Sequence, residues 1–273
     1  MSRRIMFVCR SVTGEALRSA KAIRELEDVT LEICAEPESN DLVQAARKHG
    51  AVDKIVTTHE NLLLAVAQAN EALGLEAMGS EVVRRTLDKA KLKTTLSRAG
   101  VKTPPFRVVT TPEEARRFAV EIGFPIVIKS IHGSGALTTF RIQDDEQLTH
   151  ISNLMSGPML AETCVTGQEL CFDTVTIANE PQCYAVCCYD PPIIDAVQDP
   201  QRQWRCVMPR DLTRYEDFIR EGCAAVKALE VGNAITHMEG FIMSSGPAGF
   251  VDATLRPAGA RIGPMFGFAF DVD

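Results

Sequence analysis

Short apolar runs alternate with stretches of helical periodicity over the first third of the chain, and this pattern restricts the fold more than any other. Arg4 to Cys9 (RIMFVC) reads as a buried strand. Ala16, Leu17, Ala20, Ile23 and Leu26 then recur at helical spacing. Val29 to Cys34 gives a second strand, Leu42 to His49 a second helix and Lys54 to Thr57 a third strand. Leu62 to Leu73 is a strongly apolar helix that closes at Gly74. Strands and helices in this order predict a parallel sheet covered by helices. No G-x-G-x-x-G follows the first strand, where the sequence runs Arg10-Ser11-Val12-Thr13-Gly14, so a dinucleotide site has no support.

After Gly79 the texture changes. Val82 to Ala99 predicts one basic amphipathic helix ending at Gly100, followed by an extended segment at Pro104 and Pro105. Thr111-Pro112-Glu113-Glu114 starts another helix with a cap, a proline at its first position and acids in its first turn. Pro125 to Lys129 is a strand that runs into the loop HGSGA, with Phe140 to Ile142 as its return. A helix from Asp144 to Met155 and a strand from Met159 to Glu162 follow. Strands are expected over Glu169 to Ile177, Gln182 to Tyr189, Thr236 to Met243 and Gly249 to Thr254, with a helix from Arg214 to Leu229.

Composition narrows the class. A net charge of −7 argues against nucleic acid, since phosphate contacts need a basic face. No apolar run approaches the roughly 18 residues that a bilayer requires, and MSRRIMFVCR suits a first strand better than a signal peptide. The nine cysteines contain no C-x-x-C pair, and Cys183, Cys187 and Cys188 read as buried thiols on a strand, with a metal or redox site as the alternative. A reducing, cytoplasmic location is the expectation.

Two constellations carry chemistry. In Lys129-Ser130-Ile131-His132-Gly133-Ser134-Gly135, glycines would let backbone amides approach phosphate oxygens, and the lysine supplies a point charge. A plain turn is the competing reading, and Lys129 precedes the glycines, so this is no Walker loop. Near the end, Glu239 lies in THMEGFIM, while Asp252 and Thr254 alternate on FVDATLRP. Adjacent antiparallel strands would set Glu239 beside Asp252, and two close carboxylates call for a cation, for which hard oxygen ligands suit magnesium. Arg256 continues on the same face. Solvated surface carboxylates are the alternative. His237, two residues before Glu239 and so on the same face, reads as a packed or hydrogen-bonded strand histidine, with substrate contact as the alternative, and Trp204 reads as packing.

In order, LDKAKLKTTLSRAGVKTPPF, GFPIVIKSIHGSGA, LAETCVTGQEL, HMEGF and VDATLRPAGARI resemble the ATP-grasp superfamily over about residues 80–261. The resemblance implies an α/β (α+β) fold: a small parallel α/β N-terminal domain over 1–86, a lid subdomain with its leading helix over 87–162, and a large subdomain with the metal strands over 163–273. It implies Lys89 and Lys129 as the lysines at the nucleotide phosphates. Gly133, Ser134 and Gly135 would form the closing loop, Glu162 and Val165 the adenine hinge, and Glu169 the ribose carboxylate. Glu239 and Asp252, with Thr254, would be the magnesium ligands, and Arg256 the catalytic arginine near an acyl phosphate. Where the family usually has glutamate and asparagine this chain has Asp252 and Thr254, and it stops at Asp273, soon after the metal strand.

The implied activity is an ATP- and magnesium-dependent ligase (ADP-forming), with manganese as a substitute metal, that joins a small-molecule carboxylate to an amine or similar nucleophile through an acyl phosphate. No nucleic acid or membrane partner is expected, and a homodimer is compatible with the reading. A non-catalytic ATP-binding sensor or partner subunit and an ATP-grasp kinase are the alternatives. A carboxylase-like or carbamoyl-phosphate-like branch stays open.

Overall fold

A computed structural model describes residues 3–10, 14–35, 41–48, 50–133, 138–155, 157–199, 201–243, 245–259 and 261–271. The N-terminal segment runs β1 (Arg3–Cys9), α1 (Gly14–Glu25), β2 (Val29–Ala35), α2 (Leu42–Lys48), β3 (Lys54–Val56) and α3 (Leu63–Ala72). The strands form a parallel sheet in the order β2-β1-β3. Met6, Val8 and Ile55 pack against Leu42, Ala46, Val66 and Ala69, so the sheet buries one side against α2 and α3. Asn70, buried in that seam, accepts from Ile55 N and donates to Ile55 O and Val66 O, which satisfies the polar group inside the core.

The next stretch corrects one expectation. In place of a single helix there are two, α4 (Ser80–Leu87) and α5 (Lys89–Arg98). Asp88 sits between them in extended conformation, and its carboxylate accepts from Ala90 N and Lys91 N. An aspartate cap satisfies amide donors that a continuous helix would have used, and it restarts the helix with Lys89 at its first position. Then come β4 (Phe106–Val109), α6 (Pro112–Ile122), β5 (Ile126–Ser130), β6 (Thr139–Ile142), α7 (Asp145–Ile151) and β7 (Met159–Thr163). The sheet order is β4-β7-β5-β6, all antiparallel. Ile126, Ile128 and Ala161 pack on Ala115, Phe118 and Leu148 from the two helices. The predicted helix over 144–155 ends at Ile151 and tightens to a 3₁₀ turn at Ser152–Leu154.

The last segment holds β8 (Gln168–Ile177), β9 (Glu180–Asp190), α8 (Ile193–Gln198), β10 (Arg205–Val207), α9 (Glu216–Leu229), β11 (Ala234–Met243), β12 (Gly246–Thr254) and α10 (Ile262–Phe270). The predicted helix from Arg214 begins as a 3₁₀ turn, Thr213–Tyr215, and is α-helical only from Glu216. The five-stranded antiparallel sheet has the order β10-β9-β8-β11-β12. Leu170, Phe172 and Met238 from it meet Phe218, Val226 and Leu229 of α9, together with Leu92 and Leu96 of α5. Cys183, Cys187 and Cys188 all lie on β9 as expected, but only Cys187 and Cys188 are buried; Cys183 is partly exposed. No helix among the described residues is long and apolar enough to cross a membrane.

Two glycines show how tightly this layer is built. Gly222 on α9 faces Phe172, and a Cβ there would lie 2.6 Å from the ring. Gly249 has φ +105, and its Cβ would lie 2.1 Å from Lys102 O, the carbonyl that accepts from Phe250 N. The first clash is with a ring in a packed core; the second combines left-handed backbone with backbone contact. Gly249→Ala should therefore lower stability by at least about 2 kcal/mol and by more than Gly222→Ala. Denaturant midpoints at constant slope provide the measurement; equal stability of Gly249→Ala and the parent would refute the account.

Candidate active site

Residues two apart on a strand share a face. Glu169, Cys171 and Asp173 therefore line up on β8, and His237, Glu239 and Phe241 on β11. The register sets Glu169 opposite Phe241, Cys171 opposite Glu239 and Asp173 opposite His237. On the other side of β11, Glu239 is opposite Asp252 and His237 opposite Thr254. One sheet face thus gathers the acids, while the other packs on α9. A β-bulge interrupts the pairing after Glu239: Gly240 pairs with Phe250, which leaves Val251 as the extra residue.

Three lysines meet carboxylates of the two sheets, Lys89 and Lys93 from α5 and Lys129 from β5. Lys89 Nζ lies 2.9 Å from Asp252 Oδ2 and donates to Gly133 O at 2.7 Å. Its backbone amide also donates to Ile131 O, so the start of α5 holds both ends of the short segment before the loop. Gly133 has φ +107, a conformation that only glycine adopts without strain. Lys129 Nζ lies 2.6 Å from Glu162 Oε1 and donates to Val251 O, the carbonyl of the bulged residue, at 3.2 Å. Lys93 Nζ, fully buried, lies 2.9 Å from Glu162 Oε2.

A cavity of about 380 Å³ opens between the two sheets. It is lined by the polar residues Lys89, Lys129, Gly133, Glu162, Glu169, Glu239 and Asp252 and by the apolar side chains of Val127, Val165, Ile193, Ile194 and Phe241. A second cavity of about 290 Å³ shares Ile193, Glu239 and Asp252 with the first and adds His237, Thr254, Arg256, Trp204 and Glu60. Arg256 Nη2 lies 2.9 Å from Glu60 Oε2, and its Nη1 donates to Pro257 O. Thr254 Oγ1 and Trp204 Nε1 are buried without a hydrogen-bond partner.

The titrating groups differ sharply in their surroundings. Burial and the neighbouring Glu239 carboxylate push Glu169 up to about 8, against a hydrogen bond from Ile193 N at 2.7 Å. Burial pushes Glu239 the same way, but His237, Lys89 and Lys129 outweigh it and hold Glu239 below the usual carboxylate range. Burial opposes the charge on His237, whereas the Asp173 carboxylate, 2.8 Å from Nδ1, holds the imidazole well above its ordinary value. Glu162 stays below its ordinary value despite complete burial, because Lys129 and Lys93 face it.

Of the residues singled out by sequence, Lys89, Lys129, Gly133, Glu162, Val165, Glu169, Glu239 and Asp252 meet at the first cavity. Thr254 and Arg256 line the second, with Glu239 and Asp252 at the wall common to both. Ser134 and Gly135 lie outside the described residues. His237 is a hydrogen-bonded strand histidine, and it also lines a cavity. Trp204 packs on Tyr189, with ring centroids 5.2 Å apart, as expected. Sequence reasoning missed Lys93, Asp173 and Glu60. Only Lys93 had a signal: it stands four residues after Lys89, on the same helical face.

Residues 86–171 match the family description of a RimK-like ATP-grasp domain. The chain is 24% identical over 237 residues to an L-arginine-specific L-amino acid ligase of Bacillus subtilis, covering 82% of this chain and 56% of that protein. It spans about half the length of the curated relatives it matches over most of its own. Among solved structures, an L-amino acid ligase from Bacillus licheniformis superimposes with a TM-score of 0.74 at 19% identity, over 96% of this chain and 68% of that one. A D-alanine–D-alanine ligase from Bacillus anthracis, complexed with ATP, gives 0.77 at 14% identity, over 99% and 92%.

The raised pKa of Glu169 has a consequence for stability. Its folded value of about 8 lies above the roughly 4.3 of an unfolded glutamate, so the folded state binds this proton more tightly. Its contribution to stability is complete below the unfolded value and is lost as pH rises through about 8. Glu169→Gln keeps an acceptor for Ile193 N without the charge. In thermal melts of the ligand-free protein the variant should melt higher than the parent at pH 8 and show a flatter profile from pH 5 to 8. A variant that melts lower at pH 8 would contradict the assignment.

Proposed function

We propose that this chain, an ATP-grasp protein by its fold, uses ATP and a divalent cation to activate a small carboxylate for capture by an amine. The observation that carries the reading is the pair of adjoining cavities, which share the Glu239–Asp252 wall. One is lined by both cations and apolar side chains, as a nucleoside triphosphate requires. The other offers Arg256 for an anion. Small-molecule sites are commonly apolar clefts with a few placed polar groups.

The residues present fit magnesium: Glu239 and Asp252 oppose each other as hard oxygen donors, and Thr254 Oγ1 is buried close to them without a partner. Magnesium, or manganese in its place, would supply charge neutralisation at the triphosphate. Lys89 and Lys129 would hold the phosphates, with Gly133 opening the backbone of the covering loop; Ser134 and Gly135 are assigned to that loop on the resemblance alone. Glu162 and Val165 would border the adenine, and a protonated Glu169 could both donate to and accept from ribose hydroxyls. Arg256, fixed by Glu60, would orient the carboxylate whose oxygen attacks the γ-phosphorus. ADP leaves, an amine attacks the acyl carbon, and phosphate departs. Positioning and fixed charges provide most of the acceleration in such transfers.

The relatives named as amino acid ligases support amino acids as the carboxylate and amine substrates. A division into 1–86, 87–162 and 163–273 is part of the same proposal and is supported by one sheet for each segment, with Thr163 alone crossing the second boundary.

The test is ADP release across a panel of amino acids, singly and in pairs, titrated with magnesium. The parent should release ADP with a matched pair. Glu239→Gln and Asp252→Asn should each lose roughly a hundredfold in turnover and need more magnesium, while Thr254→Asn should hold or improve magnesium affinity. A stable phosphorylated acid without amine would identify a kinase. ATP binding without turnover on any acid would identify a non-catalytic binder, and carboxylate variants with the parent's rate and magnesium midpoint would remove the metal assignment.

A further inference from the structure

Lys93 does not line the cavity, yet it is among the largest fully buried side chains of the protein. A buried ammonium needs compensation. It finds Glu162 Oε2 at 2.9 Å, the Phe250 carbonyl at 3.4 Å and the face of Phe106 with the ring centroid at 5.7 Å. Burial pulls Lys93 down to about 8, which leaves it charged at neutral pH. A methionine would fill the same space without that cost, so packing alone does not account for a lysine.

The carboxylate it meets is shared. Glu162 gives Oε2 to Lys93 and Oε1 to Lys129, and Lys129 is the cavity lysine. Two cations around one anion leave a net positive charge on the group that includes Lys129. With Lys93 absent, Lys129 and Glu162 would form a closed neutral pair at 2.6 Å, and any anion entering the cavity would compete with that pair for the ammonium. We propose that Lys93 is a positioning residue that takes up half of Glu162 and so keeps Lys129 available to a polyphosphate in the cavity. This rests on the nucleotide reading above for the identity of the ligand, though the sharing of the carboxylate does not.

The logic makes an uncommon prediction: removing a second charge should repair the loss caused by removing the first. Lys93→Met should weaken ATP binding, with and without magnesium, by roughly tenfold, the scale of one charged hydrogen bond. Lys93→Met with Glu162→Gln should recover most of that affinity, because Lys129 no longer has an anionic partner. Calorimetric titration of ATP reads the affinities. Thermal melts report folding separately, and Lys93→Met still leaves Glu162 paired with Lys129. A second readout needs no nucleotide: amine-selective labelling of Lys129, followed by peptide mass spectrometry, should slow in Lys93→Met and exceed the parent's rate in the double variant. Unchanged ATP affinity in Lys93→Met, or a double variant no better than the single one, would overturn the proposal. If the parent binds no ATP, the nucleotide reading fails, and the labelling order alone then decides the role of Lys93: the predicted order supports it and any other removes it.

Discussion

Everything in the site depends on the pairing of β11 between β8 and β12. The side-chain period of a strand is two, so a slip of one residue would turn Glu239 and His237 into the apolar layer and bring Met238 out. Such a slip is opposed from both faces. Met238 is buried among Phe172, Phe218 and Phe250 on one side, and the Asp173–His237 hydrogen bond spans the same two strands on the other. Beyond Glu239 the ladder then deliberately breaks at Val251. The bulge frees a carbonyl that receives Lys129, so the irregularity joins the small sheet to the large one at the point where the cavity forms.

The two sheets together gather acids at a density that self-repulsion would resist, and each is compensated in a different way. Asp252 has Lys89, Glu162 has two lysines, Glu239 has the His237 imidazole, and Glu169 gives up its charge. The differences follow from where the cations originate. Lys89 and Lys93 come from one helix, α5, four residues apart, and Lys129 from the neighbouring strand β5. Glu169, deeply buried, takes its hydrogen bond from a backbone amide and has a second carboxylate as neighbour, so neutrality is its least costly state. The fold therefore produces a set of carboxyl groups with distinct protonation states from residues of the same type.

Much of this was legible in the sequence because it is written in local patterns. Alternation along FVDATLRP and THMEGFIM is enough to put Asp252 and Thr254 on one face and to suggest Glu239 as their neighbour, since hairpin partners are close in the chain. The loop after Lys129 is announced by its glycines. What was not legible has two causes. A buried charge on a helix resembles a solvated one in composition, so Lys93 was lost in the basic face of KAKLKTTLSR. The break at Asp88 was missed as well: its cap is a side-chain hydrogen bond, and hydrophobic pattern does not register it. The other cause is distance along the chain. Asp173 and His237, or Glu60 and Arg256, meet only once the strands and segments are assembled, and no local pattern names such partners.

The Glu60–Arg256 contact shows how assembly adds what no segment contains. Arg256 follows the last strand of the large sheet, in a loop whose geometry alone would leave a long side chain many rotamers. Glu60 enters from the N-terminal segment, and the Pro257 carbonyl takes a second nitrogen, so the guanidinium is held at two points beside the second cavity. A half-buried arginine with one carboxylate partner keeps donors to spare, since its planar fork carries five N–H groups. Restraint without saturation is what an anion-binding arginine requires: its entropy is already lost, while part of its hydrogen-bonding capacity stays unused. The N-terminal segment thus contributes to the second cavity not by presenting a ligand group of its own to an anion but by fixing the cation that would meet it.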